Sequence, residues 1–240
     1  MSPNDRVGTP SRFHAAGLAL VASPLAGLIG SLLLPTYTEG MRGELAFIAE
    51  HRARWLAGMS CDLLFTLLLI PASLAMMSLL RRRGSRVGAV AAAMLVVAAF
   101  VHGVMLGYQL PEASIVAHAA DRAQAVSLAE SMYGDPAFTM LVIPFTALLF
   151  PGLLLLAWSL WRSRATPPWA SLAIVAAVVV EIAGPPAWKA RAMFALLLIG
   201  LGWVGMRLLR SAAGAEPRDA SPRDDASAAT AAAAAPSAAG

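Results

Sequence analysis

Two ionisable side chains, Asp62 and His102, lie deep inside apolar runs of this 240-residue chain. A carboxylate beside an imidazole can exchange a proton, hold a cation or tie two helices together. An ionised carboxylate at the centre of a bilayer costs roughly 2.5 kcal/mol or more, so such groups are functional candidates wherever a run crosses a membrane. Counted from Trp55, Asp62 lies about 10 Å along its run at the helical rise. Counted back from Leu110, His102 lies about 12 Å in.

The two runs are joined by Arg81-Arg82-Arg83-Gly84-Ser85-Arg86, a turn too basic to cross a bilayer cheaply. The runs therefore form an antiparallel hairpin, and the two side chains reach matched depth. Thr66 and Ser73 share the Asp62 face at helical spacing, and Gln109 shares the His102 face. Glu181 stands near the outer end of a later run. Asp62, His102, Thr66, Gln109 and Glu181 are thus the candidate polar pair or cleft. Two readings are open. One is an outward-facing cleft; the other is an interhelical hydrogen-bonded lock that offsets part of the desolvation of each group.

Other chemistries find little to work with. His14, His51 and His118 fall at run ends or in loops, so no second histidine faces His102 for haem ligation. His51 reads as an interfacial residue. The single cysteine, Cys61, excludes an intramolecular disulfide and a multi-cysteine metal site. No HExxH, nucleophile elbow or glycine-rich phosphate loop occurs. No catalytic, cofactor-binding or metal-binding residue is assigned, and no cofactor is expected. Gly103-xxx-Gly107, extended backwards by Ala99, is a small-residue stripe expected to pack within the bundle.

The elements that must position these residues follow from composition. Hydrophobic residues make up 58% of the chain and charged residues 13%, with a mean hydropathy of +0.68. Soluble domains carry about a quarter charged residues, so the chain reads as an all-α, polytopic membrane protein. Six runs, at about 14–34, 55–80, 87–110, 138–161, 169–184 and 190–209, predict a six-helix transmembrane bundle within residues 13–210. About 20 helical residues cross a ~30 Å hydrocarbon core. Residues 1–12 form a polar opening. The first run ends in Leu34-Pro35 without a small-x-small cleavage site and is expected to remain as the first helix. The fifth is short and stops at Gly184-Pro185-Pro186, which leaves its full crossing open. Pro24, Pro71, Pro144 and Pro151 predict kinks.

Orientation follows from charge. The net charge of +4 does not point to nucleic acid, because the basic residues sit at run ends rather than on one polar face. With the arginine turn in the cytoplasm, twelve of the eighteen basic residues fall inside and both termini are cytoplasmic. Trp55 and Trp188 then mark outer run ends, and Trp158, Trp161, Trp169 and Trp203 inner ones. Two outer loops carry helical patterns. In 43–54, Leu45, Ile48 and Trp55 recur with Met41, predicting a short helix in the headgroup plane. In 121–133, Asp121 caps a helix bearing Val126, Leu128, Ala129 and Met132, closed by Gly134. Residues 211–240, rich in Ala, Ser and Pro, are expected to be a disordered cytoplasmic tail.

One wider pattern remains. The stretch from Glu44 to Trp55 precedes a leucine-rich run and the arginine turn. Pro144, Trp161-Arg162-Ser163-Arg164 and Pro167-Pro168-Trp169 follow. Together they resemble the uncharacterised six-span integral membrane proteins of actinobacterial type, a family of unknown function. The resemblance implies a multi-pass protein of a bacterial plasma membrane and brings no activity, substrate or site residue with it. The resulting expectation is a non-enzymatic plasma-membrane protein, embedded in lipid, with a membrane-protein partner or a second copy possible and no nucleic acid. The alternatives are a small-solute transporter or sensor built around Asp62 and His102, and an intramembrane enzyme using that pair for acid–base work.

Overall fold

The computed structural model describes residues 10–36, 40–82, 85–164 and 166–213, and every regular element among them is an α-helix. Residues 1–9, 37–39, Arg83 and Gly84 of the basic turn, residue 165, and the tail from 214 lie outside the described residues. The helices are α1 (Pro10–Leu33), α2 (Gly40–Arg82), α3 (Arg86–Gln109), α4 (Pro111–His118), α5 (Arg122–Tyr133), α6 (Pro136–Arg162), α7 (Pro168–Ala183) and α8 (Lys189–Ala213). Each of the six apolar runs becomes a helix. Five of them, α1, α2, α3, α6 and α8, are long and apolar enough to cross a membrane. The 16 residues of α7 are apolar but reach only about 24 Å at the helical rise.

Side chains next to the helix starts set where several begin. Ser85 accepts a hydrogen bond from the Gly88 amide at 3.1 Å and opens α3. Asp121 accepts from the Gln124 amide at 2.8 Å and opens α5, which Gly134 closes as expected. Asp135, followed by Pro136 at the first helical position, does the same for α6. Each satisfies an amide that the helix itself leaves without a partner.

Six helices close into a ring in the order α1, α2, α3, α6, α7, α8 and back to α1. The α6–α7 seam is the loosest of the six. Leu95, Leu153, Leu156, Leu160 and Ile174 fill the centre near the arginine turn. Large apolar side chains also point outwards: Phe100 is 62% exposed, Ile182 67% and Met140 73%. Apolar surface on this scale suits lipid as solvent.

The tightest crossing joins α1 to α8. A Cβ placed on Gly205 would stand 2.6 Å from the Gly17 carbonyl oxygen, and one on Gly17 would stand 2.8 Å from that of Gly205. Only glycine permits backbones so close. The α3 stripe behaves less uniformly. Ala99 is buried and Gly103 faces Thr66, but Gly107 faces open space and packs against nothing.

Above one end of the ring sits a cap made by the first part of α2 with α4 and α5. Three sequence expectations change here. Residues 43–54 do not form a separate helix; they continue into α2 through a kink at His51, where φ is −131° and ψ is 39°. Their apolar face is not left for lipid. Leu45, Ile48 and Trp55 are at most 2% exposed, packed with Leu106, Ala113, Ala125 and Ala129. Trp55 therefore occupies no membrane-surface position, whereas the other five tryptophans are 37–56% exposed at helix ends. On α5, Ala129 and the half-buried Val126 face inwards as expected, joined by Ala125, but Leu128 points out. The reason in each case is α4, an eight-residue helix too short and mixed to register as an apolar run. With α5 it supplies the protein surface that covers these faces.

Candidate functional site

The α2–α3 hairpin brings Asp62, Thr66 and His102 together. Nδ1 of His102 lies 2.8 Å from the Thr66 hydroxyl oxygen, and Nε2 lies 3.8 Å from Oδ2 of Asp62. The imidazole stacks on Phe145 of α6, with centroids 4.8 Å apart and planes 13° from parallel. Phe65 meets its edge at 6.2 Å. The direct interhelical hydrogen bond is thus Thr66–His102, while Asp62 stands off beyond hydrogen-bond distance.

The Thr66 hydroxyl carries one proton and has two acceptors within reach. It also lies 2.9 Å from the Asp62 carbonyl oxygen, one turn back on α2. If it donates to that carbonyl, as helical threonines do, it accepts from Nδ1–H of His102. In the neutral ring, Nε2 then presents a lone pair towards a carboxylate oxygen. Two acceptors 3.8 Å apart, each partly exposed, call for a donor between them. If Thr66 donates to Nδ1 instead, Nε2–H points at Asp62 across the same gap.

That gap faces a cavity of about 230 Å³ at the centre of the ring. Asp62 from α2, His102 from α3 and Glu181 from α7 all line it. Leu197 and Leu201 lie at its far end on α8, the latter about 18 Å along the helix from Lys189. Its mouth lies at the cap end, between Pro35-Thr36 and Pro186-Ala187-Trp188. Glu181 pairs with Lys189 at 3.5 Å through one oxygen, and its other oxygen has no partner among the described residues. Thr66 is buried behind His102, within its reach but not on the cavity wall. Gln109 is not on that wall either, because it lies at the last turn of α3, beyond the mouth. Ser73 is buried deeper on α2, its hydroxyl unpartnered among the described residues.

A second hollow of about 500 Å³ adjoins the first and shares Leu34, Pro35, Thr36 and Arg191 with it. Glu44, Glu50, His51 and Arg54 give it a charged wall. His51, exposed at the kink of α2, stacks on Phe47 at 5.0 Å, and the Arg54 guanidinium lies 5.4 Å from the centre of the same ring. The two hollows form a charged vestibule and an inner chamber, with Arg191 at the boundary. Arg191 donates through Nε to the Ser31 carbonyl at 3.2 Å, and Arg54 donates to the Leu32 carbonyl at 3.1 Å. Two arginines from neighbouring helices thus serve the last carbonyls of α1, which has no basic residue in its own final turn.

Sequence reasoning missed Arg191 and the vestibule. From the sequence Arg191 is one of six outer basic residues, and only the α1–α8 pairing gives it a carbonyl to hold. It also missed Glu112 in the cap. Glu112 is fully buried and accepts a hydrogen bond from the Tyr133 hydroxyl, while its second oxygen is unpartnered among the described residues. Its place in the first turn of α4, straight after Pro111, was the available signal. Among the described residues, no three of His, Cys, Asp and Glu gather closely enough to hold a metal ion. Compared with protein-family models, with curated proteins and with solved structures, the chain finds no match.

Proposed function

We propose that this chain is a six-span integral protein of a bacterial plasma membrane, with both termini in the cytoplasm. Its central chamber receives a small solute from the outer side, as a transporter or a sensor does. One observation carries the reading: Asp62, His102 and Glu181, from three different helices, line one chamber that continues into a charged vestibule. A purely structural Asp62–His102 lock would close the pair into a dry contact, and the 3.8 Å gap facing a cavity argues against that. The lock role falls to Thr66 and His102 instead. The sixth span is α7, placed in the ring between α6 and α8. Arginines at the end opposite the cap support the cytoplasmic assignment. The cap then lies at the outer surface, and kinship with the uncharacterised six-span actinobacterial-type proteins belongs to the same proposal.

The chamber's chemistry narrows the solute. Two carboxylates and an imidazole sit on its wall, while its far end is leucine. A volume of 230 Å³ is below the range of drug-sized pockets. The best fit is a small amphipathic amine: its ammonium bridges Asp62 and His102 Nε2, and its apolar body lies against Leu197 and Leu201. Thermal unfolding of the protein in nanodiscs, with benzylamine or its neutral isostere benzyl alcohol, tests this. Benzylamine raises the melting temperature of the parent protein, benzyl alcohol does not, and Asp62→Asn loses the shift. No shift with the amine, or one that survives both Asp62→Asn and Glu181→Gln, sinks the reading.

A further inference from the structure

A hollow at the opposite end of the ring has no connection with the chamber. It measures about 560 Å³ and is bounded by Arg164, Thr166, Pro167, Trp203, Arg207 and Arg210. Three guanidinium groups share this space, and no acidic side chain lines it among the described residues. On α8 the residues Trp203, Arg207 and Arg210 recur at spacings of four and three, which puts them on one face. Arg164 comes from the opposite wall, in the turn after α6. It has a φ of 49°, a left-handed conformation that few non-glycine residues adopt. α7 starts at the same wall, and its first turn has no side-chain cap, so the positive end of the helix adds to the three charges.

Depth identifies what such a site would meet. Trp158, Trp161, Trp169 and Trp203 all belong to this end of the ring, each partly exposed. Trp169 and Trp203 meet nearly edge to face at 5.1 Å. Partly exposed indoles gather at the headgroup level of a bilayer, so the arginines stand at the height of lipid phosphates. Guanidinium groups bind phosphate oxygens through paired N–H donors, and basic pockets between transmembrane helices suit anionic headgroups. We infer that this hollow binds the phosphate of an anionic phospholipid, held by Arg164, Arg207 and Arg210, with Trp203 against the adjoining glycerol.

The test uses the full chain reconstituted with phosphatidylcholine and phosphatidylglycerol in equal parts. The protein is extracted in mild detergent, and the retained lipid is counted by native mass spectrometry. The parent protein keeps phosphatidylglycerol in several-fold excess. The Arg207→Gln, Arg210→Gln double variant loses that excess, and Arg164→Gln alone reduces it should the double variant fail to fold. Arg81→Gln with Arg86→Gln removes two exposed arginines from the same end but outside the hollow, and leaves the excess intact. Equal retention of both lipids by the parent overturns the inference. So does an equal loss in the two double variants, which would mean diffuse surface charge. Displacement of the lipid by inorganic phosphate would assign the site to a soluble anion and defeat the lipid assignment.

Discussion

His102 is held from three directions and open on the fourth. Thr66 fixes Nδ1, Phe145 covers one face and Phe65 meets the edge, so the ring has little freedom to move towards Asp62. This division of labour makes a measurable distinction. Thr66→Val keeps the shape and deletes the interhelical bond, at a cost of about 0.6–1.7 kcal/mol for such contacts in membranes. Asp62→Asn deletes no direct interhelical hydrogen bond and is expected to cost less in the same denaturant titration in mixed micelles. The reverse order would return Asp62 to the lock. In the cap, Tyr133 is the hydrogen-bond donor to a fully buried carboxyl. Tyr133→Phe leaves that Glu112 oxygen without it and should cost about 1–3 kcal/mol. A change within experimental error would show that Glu112 finds its donor elsewhere.

At the scale of elements, glycine placement decides which helices touch. Gly205→Ala drives a methyl group against the Gly17 carbonyl, and overpacking of this kind costs about 1–3 kcal/mol. Gly107→Ala meets no atom within 4 Å and should leave stability unchanged or raise it by up to about 1 kcal/mol through helix propensity. Thermal unfolding of the two variants side by side checks the contrast, and equal effects would remove the α1–α8 crossing as its cause. The contrast also shows where sequence reading ran out. The Gly103-xxx-Gly107 spacing is visible in the sequence, but one of its glycines packs and the other does not. Gly17 and Gly205 are paired by nothing in the linear pattern. Apolar runs located all six ring helices, and the ends of all but the start of α2 to within a few residues, because burial in lipid or protein demands unbroken apolar stretches. The same criterion passed over α4 and started the second run at Trp55, well after α2 begins at Gly40. Residues 43–54 read as a short helix of their own, whereas they run through the kink at His51 into α2 with their apolar face against α4 and α5.

At the scale of the whole molecule, charge placement makes a prediction that side-chain geometry does not. A reporter active only in the cytoplasm should work when fused after Arg83 and fail when fused at Ala120, between α4 and α5. The opposite pattern would invert the chain and put the vestibule in the cytoplasm. The Asp62–His102 juxtaposition was legible because a tight basic turn forces neighbouring helices to matched depth. The chamber was legible only as one of two readings, a cleft that included Glu181, since its other walls come from α6, α7 and α8 and nothing local says which helix follows α3 around the ring. That order has a consequence for how the protein is made. The ring closes where α1, formed early, meets α8, formed late, through Gly17 and Gly205. Until α8 is inserted, the chamber is an open trough, with neither Arg191 at the end of α1 nor the leucine floor, both of which α8 brings. On the proposed six-span reading, that trough lies open to lipid tails until the arrival of α8 closes it. On that reading the chamber comes into being only with the last helix, and lipid is what it must first be cleared of.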